Sequence, residues 1–330
     1  QREQSGAHAA NIGAFIHDRS WADDADPRMR ALRMQAILAA TRHASSPHRR
    51  GARRLYRRIG DQHAERGAHA GRHRPRALRT ALREGWSCEA PDGTSVPFDR
   101  GAFSVDRGIG PERFAGALIA IHGSPGEDGL LQGYLDLLGV PYQTGGVLCM
   151  ALTMSKHSTT ALLRQLGFDV SASALLMRHM PDIAQRVAAI GYPCFVKPDR
   201  SGSSLGISKV KTPADLEAAM RLAFAECPAV MAEAGVVGRE LTCGVIDLGG
   251  AARALPVCEV VHTREFFDYE AKYHAKDTQE LVPAPLPDEV TRLVQERSAS
   301  IYTLLECRGM VRVDHIWTGE RLVCVTMCLG

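Results

Sequence analysis

One stretch of this sequence, residues 191–209, restricts the fold more than any other. A short apolar run ends in Lys197, and it is followed by Pro198, a Gly/Ser-rich segment over residues 201–206, and a second apolar-flanked run over residues 207–210. Apolar runs of this length, bounded by Gly, Ser and Pro, predict a strand, a loop and a second strand. The stretch therefore predicts part of a β-sheet with a small-residue loop at its edge.

The loop itself suits a phosphate ligand. Gly202 and Gly206 permit positive φ and a close approach of the backbone to a ligand, and Ser203 and Ser204 add hydroxyl groups. Lys197 would place one compact positive charge beside the same phosphates. The spacing differs from that of a Walker loop, and an ordinary turn between two strands would have the same composition.

Composition excludes several classes of protein. The chain has 330 residues, of which 45% are hydrophobic, and this predicts two or three packed domains. The nine cysteines form no Cys-x-x-Cys pair, so neither a zinc site nor a disulfide framework is indicated, and a reducing cytoplasm fits best. No apolar run reaches about 18 residues and no leader pattern is visible, so we expect neither a membrane span nor export.

The charge is distributed unevenly. Residues 1–83 hold 18 of the 40 Lys and Arg residues, all of them arginine, and 7 of the 37 acidic residues; the remaining 22 and 30 belong to residues 84–330. Only residues 29–40 have a helix-like apolar pattern. A basic arm for nucleic acid is one interpretation. We favour a disordered or non-native stretch, such as a foreign reading frame, because lysine and aromatic residues are scarce, and we expect no nucleic-acid partner.

An apolar run over residues 114–122 predicts a strand buried on both faces of a parallel sheet. The Gly-rich loop over residues 123–129 follows it. Because ligands of open α/β sheets bind at the carboxyl ends of strands, Glu127 in this loop is a candidate substrate residue. A carboxylate at the start of the next helix is the alternative interpretation.

The rest of the chain alternates helices and short strands. Further helices are predicted over residues 130–138, 152–166, 182–190, 212–224 and 287–305, and further strands over residues 103–106, 139–142, 230–233, 240–246, from 257 onwards, and over 307–314. In the last of these strands Arg312 and Asp314 share one face. Arginine suits anionic oxygens and aspartate suits Mg²⁺, although a plain salt bridge would look the same.

Seven short motifs, taken together, resemble the D-alanine–D-alanine ligase family of the ATP-grasp superfamily. They lie at residues 122–133, 145–147, 151–156, 195–198 with 202–206, 238–240, 267–273 and 312–314, and their order and spacing agree with the family over about residues 84–325. The resemblance implies an α/β and α+β architecture, in which an ATP-grasp fold is preceded by a truncated Rossmann-like domain.

The resemblance also implies domain boundaries. Residues 1–83 would be the arm, 84–148 a Rossmann-like substrate domain without its first strand, 149–232 the central lid domain, and 233–330 a truncated C-terminal domain. ATP would lie between the last two domains.

The resemblance implies seven nucleotide-binding residues. These are Lys156 and Lys197 on the phosphates, Ser203 and Ser204 in the loop that closes over them, Glu233 near the adenine, Glu240 on the ribose hydroxyls, and Lys272 on the γ-phosphate.

The implied reaction activates a carboxylate. ATP phosphorylates one D-alanine, and the amine of a second D-alanine attacks the acyl phosphate, which gives D-alanyl-D-alanine for peptidoglycan and cell-wall synthesis. The implied catalytic residues are Glu127 near the first D-alanine, Ser203, Lys272, the lid residue Tyr273, and Arg312 on the acyl phosphate. Asp314 would be a ligand of Mg²⁺ or Mn²⁺. We expect the protein to be cytoplasmic, and a homodimer is one oligomeric state that it could adopt.

Both ends depart from the family pattern. Residues 1–83 lack the family's Gly-rich turn and first-strand Glu, and Thr326 and Cys328 stand where a Glu-x-Asn pair of magnesium ligands belongs. A hydroxyl and a thiol are poor ligands for Mg²⁺. We therefore expect an impaired ligase. The alternatives are another ATP-grasp ligase, which uses D-lactate or D-serine, and a non-catalytic nucleotide-binding remnant.

Overall fold

In a computed structural model of the chain, the described residues are 35–40, 76–81, 86–89, 94–121, 123–201, 205–247, 249–261 and 279–329. They form a closed six-stranded barrel, a four-stranded sheet and a five-stranded sheet, with helices packed on the sheets. Among these residues no helix is long and apolar enough to cross a membrane.

The barrel contains the first six strands in sequence order, all paired antiparallel. They are β1 (Gln35–Ala40), β2 (Arg76–Ala81), β3 (Ser87–Glu89), β4 (Ser95–Asp99), β5 (Ser104–Asp106) and β6 (Pro111–Ala120). The buried rings of Phe98, Phe103 and Phe114 pack against one another, with centroids 5.1 to 5.8 Å apart. Aromatic packing of this kind holds the short strands together.

Two expectations fail in this region. The helix-like pattern over residues 29–40 is a strand at Gln35–Ala40, because it pairs along β6 and tertiary pairing overrides a weak helical preference. The strand predicted over residues 114–122 exists as β6, but its neighbours are antiparallel; its one parallel bridge within the described residues joins Ala117 to Tyr142. Both β1 and β2 belong to the 1–83 arm. The rest of that arm lies outside the described residues, so its non-native character stays a prediction.

The first helix, α1 (Leu130–Leu137), follows the Gly-rich loop as predicted. The loop folds tightly against β6: a Cβ at Gly126 would lie 2.5 Å from that of Ile121, so only glycine fits. Buried Gln132 donates to the Gly126 carbonyl at 2.7 Å and to Thr144 Oγ1 at 3.0 Å. These bonds fix the loop to the start of α1.

The central part of the chain contains the predicted strand–loop–strand. Its elements are α2 (Val147–Met154), α3 (Lys156–Gln165), β7 (Ser173–Met177), α4 (Ile183–Ile190), β8 (Cys194–Pro198), β9 (Ser208–Val210), a 3₁₀ turn (Pro213–Asp215), α5 (Leu216–Glu226) and β10 (Ala229–Ala234). The antiparallel sheet has the order β7-β10-β8-β9, and α4 and α5 pack on it. The single helix predicted over residues 152–166 is two helices, because Ser155 is extended and caps α3.

The C-terminal sheet has the order β13-β12-β11-β14-β15 and is antiparallel throughout. Its elements are β11 (Arg239–Asp247), β12 (Ala252–Val261), β13 (Gln279–Leu281), α6 (Asp288–Leu304), β14 (Met310–Trp317) and β15 (Leu322–Leu329). Val290 and Val294 of α6 pack into the core with Leu241 and Val257 of the sheet. The long amphipathic helix is therefore confirmed.

A shared core joins the central part to the C-terminal sheet. Met150 of α2 and Leu163 of α3 are buried with Ile301, Val313 and Cys324. Cys324 also donates its backbone N–H to the Asp169 carbonyl at 2.9 Å. As a result α3, which begins with a predicted phosphate ligand, is packed beside β15.

Candidate active site

Lys156 is the first residue of α3 and reaches across to the end of β8. Its Nζ donates to the Ser201 carbonyl at 2.6 Å and to the Asp199 carbonyl at 3.3 Å. Burial, with help from the nearby positive charge of Lys197, lowers the pKa of Lys156 to about 8. The structure thus brings two of the predicted phosphate lysines together at the Gly/Ser loop.

Asp199 holds the start of α3 in place, and the sequence analysis did not single it out. Its side chain is 2% exposed. Oδ1 accepts from the backbone N–H of His157 at 2.8 Å, and Oδ2 accepts from Ser155 Oγ at 2.8 Å. The residues that Asp199 contacts are more than 40 positions away in the sequence, and a local sequence pattern cannot predict such a pairing.

Lys197 and Glu233 form a buried ion pair between the neighbouring strands β8 and β10. Lys197 Nζ lies 2.6 Å from Glu233 Oε2, with side-chain exposures of 11% and 8%. The second oxygen, Oε1, is buried and accepts no hydrogen bond from any described residue. Two predicted nucleotide residues therefore contact each other, and Glu233 has a free acceptor.

Arg312 and Asp314 lie side by side on β14, as the strand periodicity predicted. Arg312 donates from Nε to Oδ1 at 2.8 Å and from a terminal nitrogen to Oδ2 at 3.0 Å, and Thr242 Oγ1 adds a bond of 2.8 Å to Oδ1. In the adjacent strand β15, Thr326 is opposite Asp314 and Cys328 is opposite Arg312. Asp314 is thus surrounded by hydrogen-bond donors.

These residues fit a magnesium ion poorly. Across the described parts of the chain, no group of three or more His, Cys, Asp or Glu side chains is arranged to hold a metal. Asp314 supplies a carboxylate, but the facing position holds the hydroxyl of Thr326. Since Mg²⁺ requires oxygen ligands in near-octahedral geometry, Asp314 alone does not make a site.

A small cleft lies between α3 and β15. It is lined by Thr153, Lys156, Thr159, Thr160, Leu163 and residues 324–327. Burial raises the pKa of the Cys324 thiol to about 12, and the negative charges of Asp314 and Glu233 add to the effect. Cys324 therefore lies close to the carboxylates of both sheets, and Lys156 and Thr326 share one cleft.

The positions of the other predicted residues give less support to their predicted roles. Glu127 folds back within its own loop, where Oε2 accepts the backbone N–H of Gly123 at 2.6 Å. Glu240 lies on β11, opposite Ile316 of β14. Four predicted residues, namely Ser203, Ser204, Lys272 and Tyr273, lie outside the described residues, and their roles stay predictions.

Comparison with known proteins assigns the family. A family model described as "D-ala D-ala ligase C-terminus" matches residues 162–326, half of the chain. A D-alanine–D-alanine ligase of Phocaeicola vulgatus is 41% identical over 239 residues, which is 72% of this chain and 74% of the relative. One of Porphyromonas gingivalis is 44% identical over 236 residues, or 71% of each protein. The chain belongs to the D-alanine–D-alanine ligase family.

Solved structures agree with this assignment. The VanG D-Ala:D-Ser ligase from Enterococcus faecalis aligns with a TM-score of 0.64 at 28% identity, over 74% of this chain and 76% of that one. The D-alanyl-alanine synthetase A of Vibrio cholerae aligns with a TM-score of 0.68 at 23% identity, over 87% and 85%, which supports the fold alone. The predicted ATP-grasp class of mixed helix and sheet is therefore confirmed.

Proposed function

We propose that this chain is an impaired member of its family, whose reaction is a ligation in which ATP activates one D-alanine and a second D-alanine attacks the acyl phosphate. The observation that carries the proposal is that Lys156, bonded to Ser201, lies within electrostatic reach of Lys197, which is paired with Glu233. The product would be D-alanyl-D-alanine for peptidoglycan precursors, made in the cytoplasm.

The proposed nucleotide roles are those that the family resemblance implies. Lys156 and Lys197 would meet the phosphates, each as a compact charge with donors to spare. The free Oε1 of Glu233 would accept a hydrogen bond from the adenine amino group, and Glu240 would hold the ribose hydroxyls. Ser203 and Ser204 would close over the phosphates.

The catalytic roles rest on positioning and charge. Arg312 would bind the oxygens of the acyl phosphate with its guanidinium group, two of whose five donors bond Asp314 in this structure. Lys272, Tyr273 and Ser203 would complete the lid, and Glu127 would face the first D-alanine. No covalent enzyme intermediate is required, so holding the reactants in line is the main contribution of the protein.

The family resemblance implies Mg²⁺ or Mn²⁺ with Asp314 as a ligand, but the described residues beside Asp314 do not complete a site for such an ion. The position facing Asp314 holds Thr326 instead of a second carboxylate. We therefore expect weak nucleotide binding and little or no turnover. An intact metal site in the family's usual form would need Glu at 326 and Asn at 328.

The first experiment measures ATP binding by calorimetry for the purified chain and for Lys156→Met. Binding that is at least about tenfold weaker in the variant supports the nucleotide site, because a charged hydrogen bond is worth about 1.5–3 kcal/mol. Equal affinities would refute it. Circular dichroism of both proteins controls for folding.

The second experiment measures phosphate release with ATP and D-alanine, alone and together with D-serine or D-lactate. Little turnover by the chain, and more after Thr326→Glu with Cys328→Asn, would support impairment at the metal position. Rapid turnover by the unaltered chain would show that this position is misassigned. Faster release with D-serine or D-lactate than with D-alanine alone would favour the alternative acceptors. Sedimentation would test the expected homodimer.

A further inference from the structure

We propose that Asp199 is a positioning residue, which holds Lys156 in the place where it meets the nucleotide phosphates. The inference rests on the proposed nucleotide role of Lys156. It concerns a side chain that touches neither substrate nor ATP and acts through the lysine.

The contacts of Asp199 enclose Lys156 on both sides. Its carboxylate accepts from Ser155 Oγ and from the backbone N–H of His157, each at 2.8 Å. Its main-chain carbonyl accepts from the backbone N–H of Lys156 at 3.1 Å and from Nζ at 3.3 Å. One residue at the end of β8 thus bonds three consecutive residues at the start of α3.

The charge of Asp199 is suited to this place. A buried carboxylate is costly unless hydrogen bonds and positive charge compensate it. Here both oxygens are bonded, the N-terminus of α3 contributes partial positive charge, and the Arg200 guanidinium lies 3.7 Å away. The carboxylate is therefore held in one orientation.

The same charge acts on the lysine. Burial and Lys197 lower the pKa of Lys156, whereas the negative charges of Asp199 and Glu233 raise it, and Asp199 has the largest opposing effect. The Asp199 carboxylate thus favours the protonated form of Lys156, while its main-chain carbonyl accepts from Nζ.

The test is a double-mutant cycle on ATP affinity, measured by calorimetry with the full chain. Asp199→Asn keeps the shape of the side chain but removes its charge and one of its two acceptors. We expect about tenfold weaker ATP binding from Asp199→Asn in the wild-type background, and less than about twofold in the Lys156→Met background. Equal weakening in both backgrounds would overturn the proposal.

A matched control is available at the start of α5. Asp215 also caps a helical segment, with Oδ2 accepting from the backbone N–H of Thr212 at 2.9 Å and from its hydroxyl at 3.0 Å. Asp215→Asn should leave ATP affinity unchanged. If it weakens binding as much as Asp199→Asn does, then loss of a cap explains both, and Asp199 has no positioning role.

The pH profile gives a second readout. Without the Asp199 charge the pKa of Lys156 falls further, so ATP affinity should begin to decline at a lower pH in Asp199→Asn than in the wild type. Coinciding profiles would overturn the proposal. Should Asp199→Asn not fold, Ser155→Ala removes one bond to the carboxylate and should weaken binding about threefold; unchanged affinity there would equally count against it.

Failure here can be told apart from failure of the proposed function. Unchanged ATP affinity in Lys156→Met would refute the nucleotide site itself. Weaker binding in Lys156→Met with unchanged binding in Asp199→Asn would refute only the positioning role.

Discussion

Substitution of Lys197 by methionine tests the buried ion pair most directly. The change removes the ammonium group that lies 2.6 Å from Glu233 Oε2 and keeps much of the apolar stem. Glu233 then has no partner for Oε2, and Oε1 already accepts no bond from the described residues. A charged carboxylate would remain buried without compensation.

The expected cost follows from this geometry. Removing one partner of a buried pair costs about 3–5 kcal/mol, because the remaining charge keeps its desolvation penalty. This is a large part of a typical stability of about 5–15 kcal/mol. In the double variant Lys197→Met/Glu233→Gln no charge is left buried, so about 2 kcal/mol or more should be regained.

The assay is urea unfolding monitored by circular dichroism. The dependence of the unfolding free energy on urea concentration must be the same in all variants. The control is Arg321→Met, which breaks the Arg321–Asp169 pair. That pair has an N–O distance of 2.8 Å but exposures of 59% and 49%, so its loss should cost less than about 1 kcal/mol. Equal costs for Lys197→Met and Arg321→Met, or a double variant no more stable than Lys197→Met, would refute the reasoning.

Three further predictions follow. Since the pKa of Lys156 is lowered to about 8, ATP binding should take up protons between about pH 8 and 10; calorimetry in two buffers measures this uptake, which should vanish in Lys156→Met. Leu163→Ala should cost about 2–5 kcal/mol in urea unfolding, whereas equal loss in the half-exposed control Leu166→Ala would contradict the core assignment. Thr326→Glu should raise Mn²⁺ affinity measured by electron paramagnetic resonance, because residue 326 faces Asp314; the same rise in Thr326→Gln would exclude a charge effect.

The sequence predicted best those elements whose signals are local. The amphipathic repeat of α6 and the apolar runs of β8 and β9, which flank the Gly/Ser-rich segment, depend on residues within the segments themselves, and these helix and strands are present. The pairing of Arg312 with Asp314 follows in the same way from the period of two along β14.

Features set by distant partners could not be predicted. A continuous apolar run does not show the direction of its neighbours, so β6 was expected in a parallel sheet and is antiparallel. Strand β7, with the sequence Ser-Ala-Leu-Leu-Met, has little β-branched character and becomes a strand through its pairing with β10. Asp199 likewise gains its role only when β8 meets α3.

Lys156 and Lys197 differ in how easily a phosphate can replace their present hydrogen-bond partners. Lys156 donates to neutral carbonyl oxygens, so a phosphate can replace one of them without leaving a charge unpaired. Lys197 is bound to a buried carboxylate, and moving it to a phosphate leaves Glu233 in need of a donor. On the proposed assignment the adenine amino group is that donor. Phosphate binding at Lys197 and base binding at Glu233 are therefore coupled, and a polyphosphate without a base should engage Lys156 far better than Lys197.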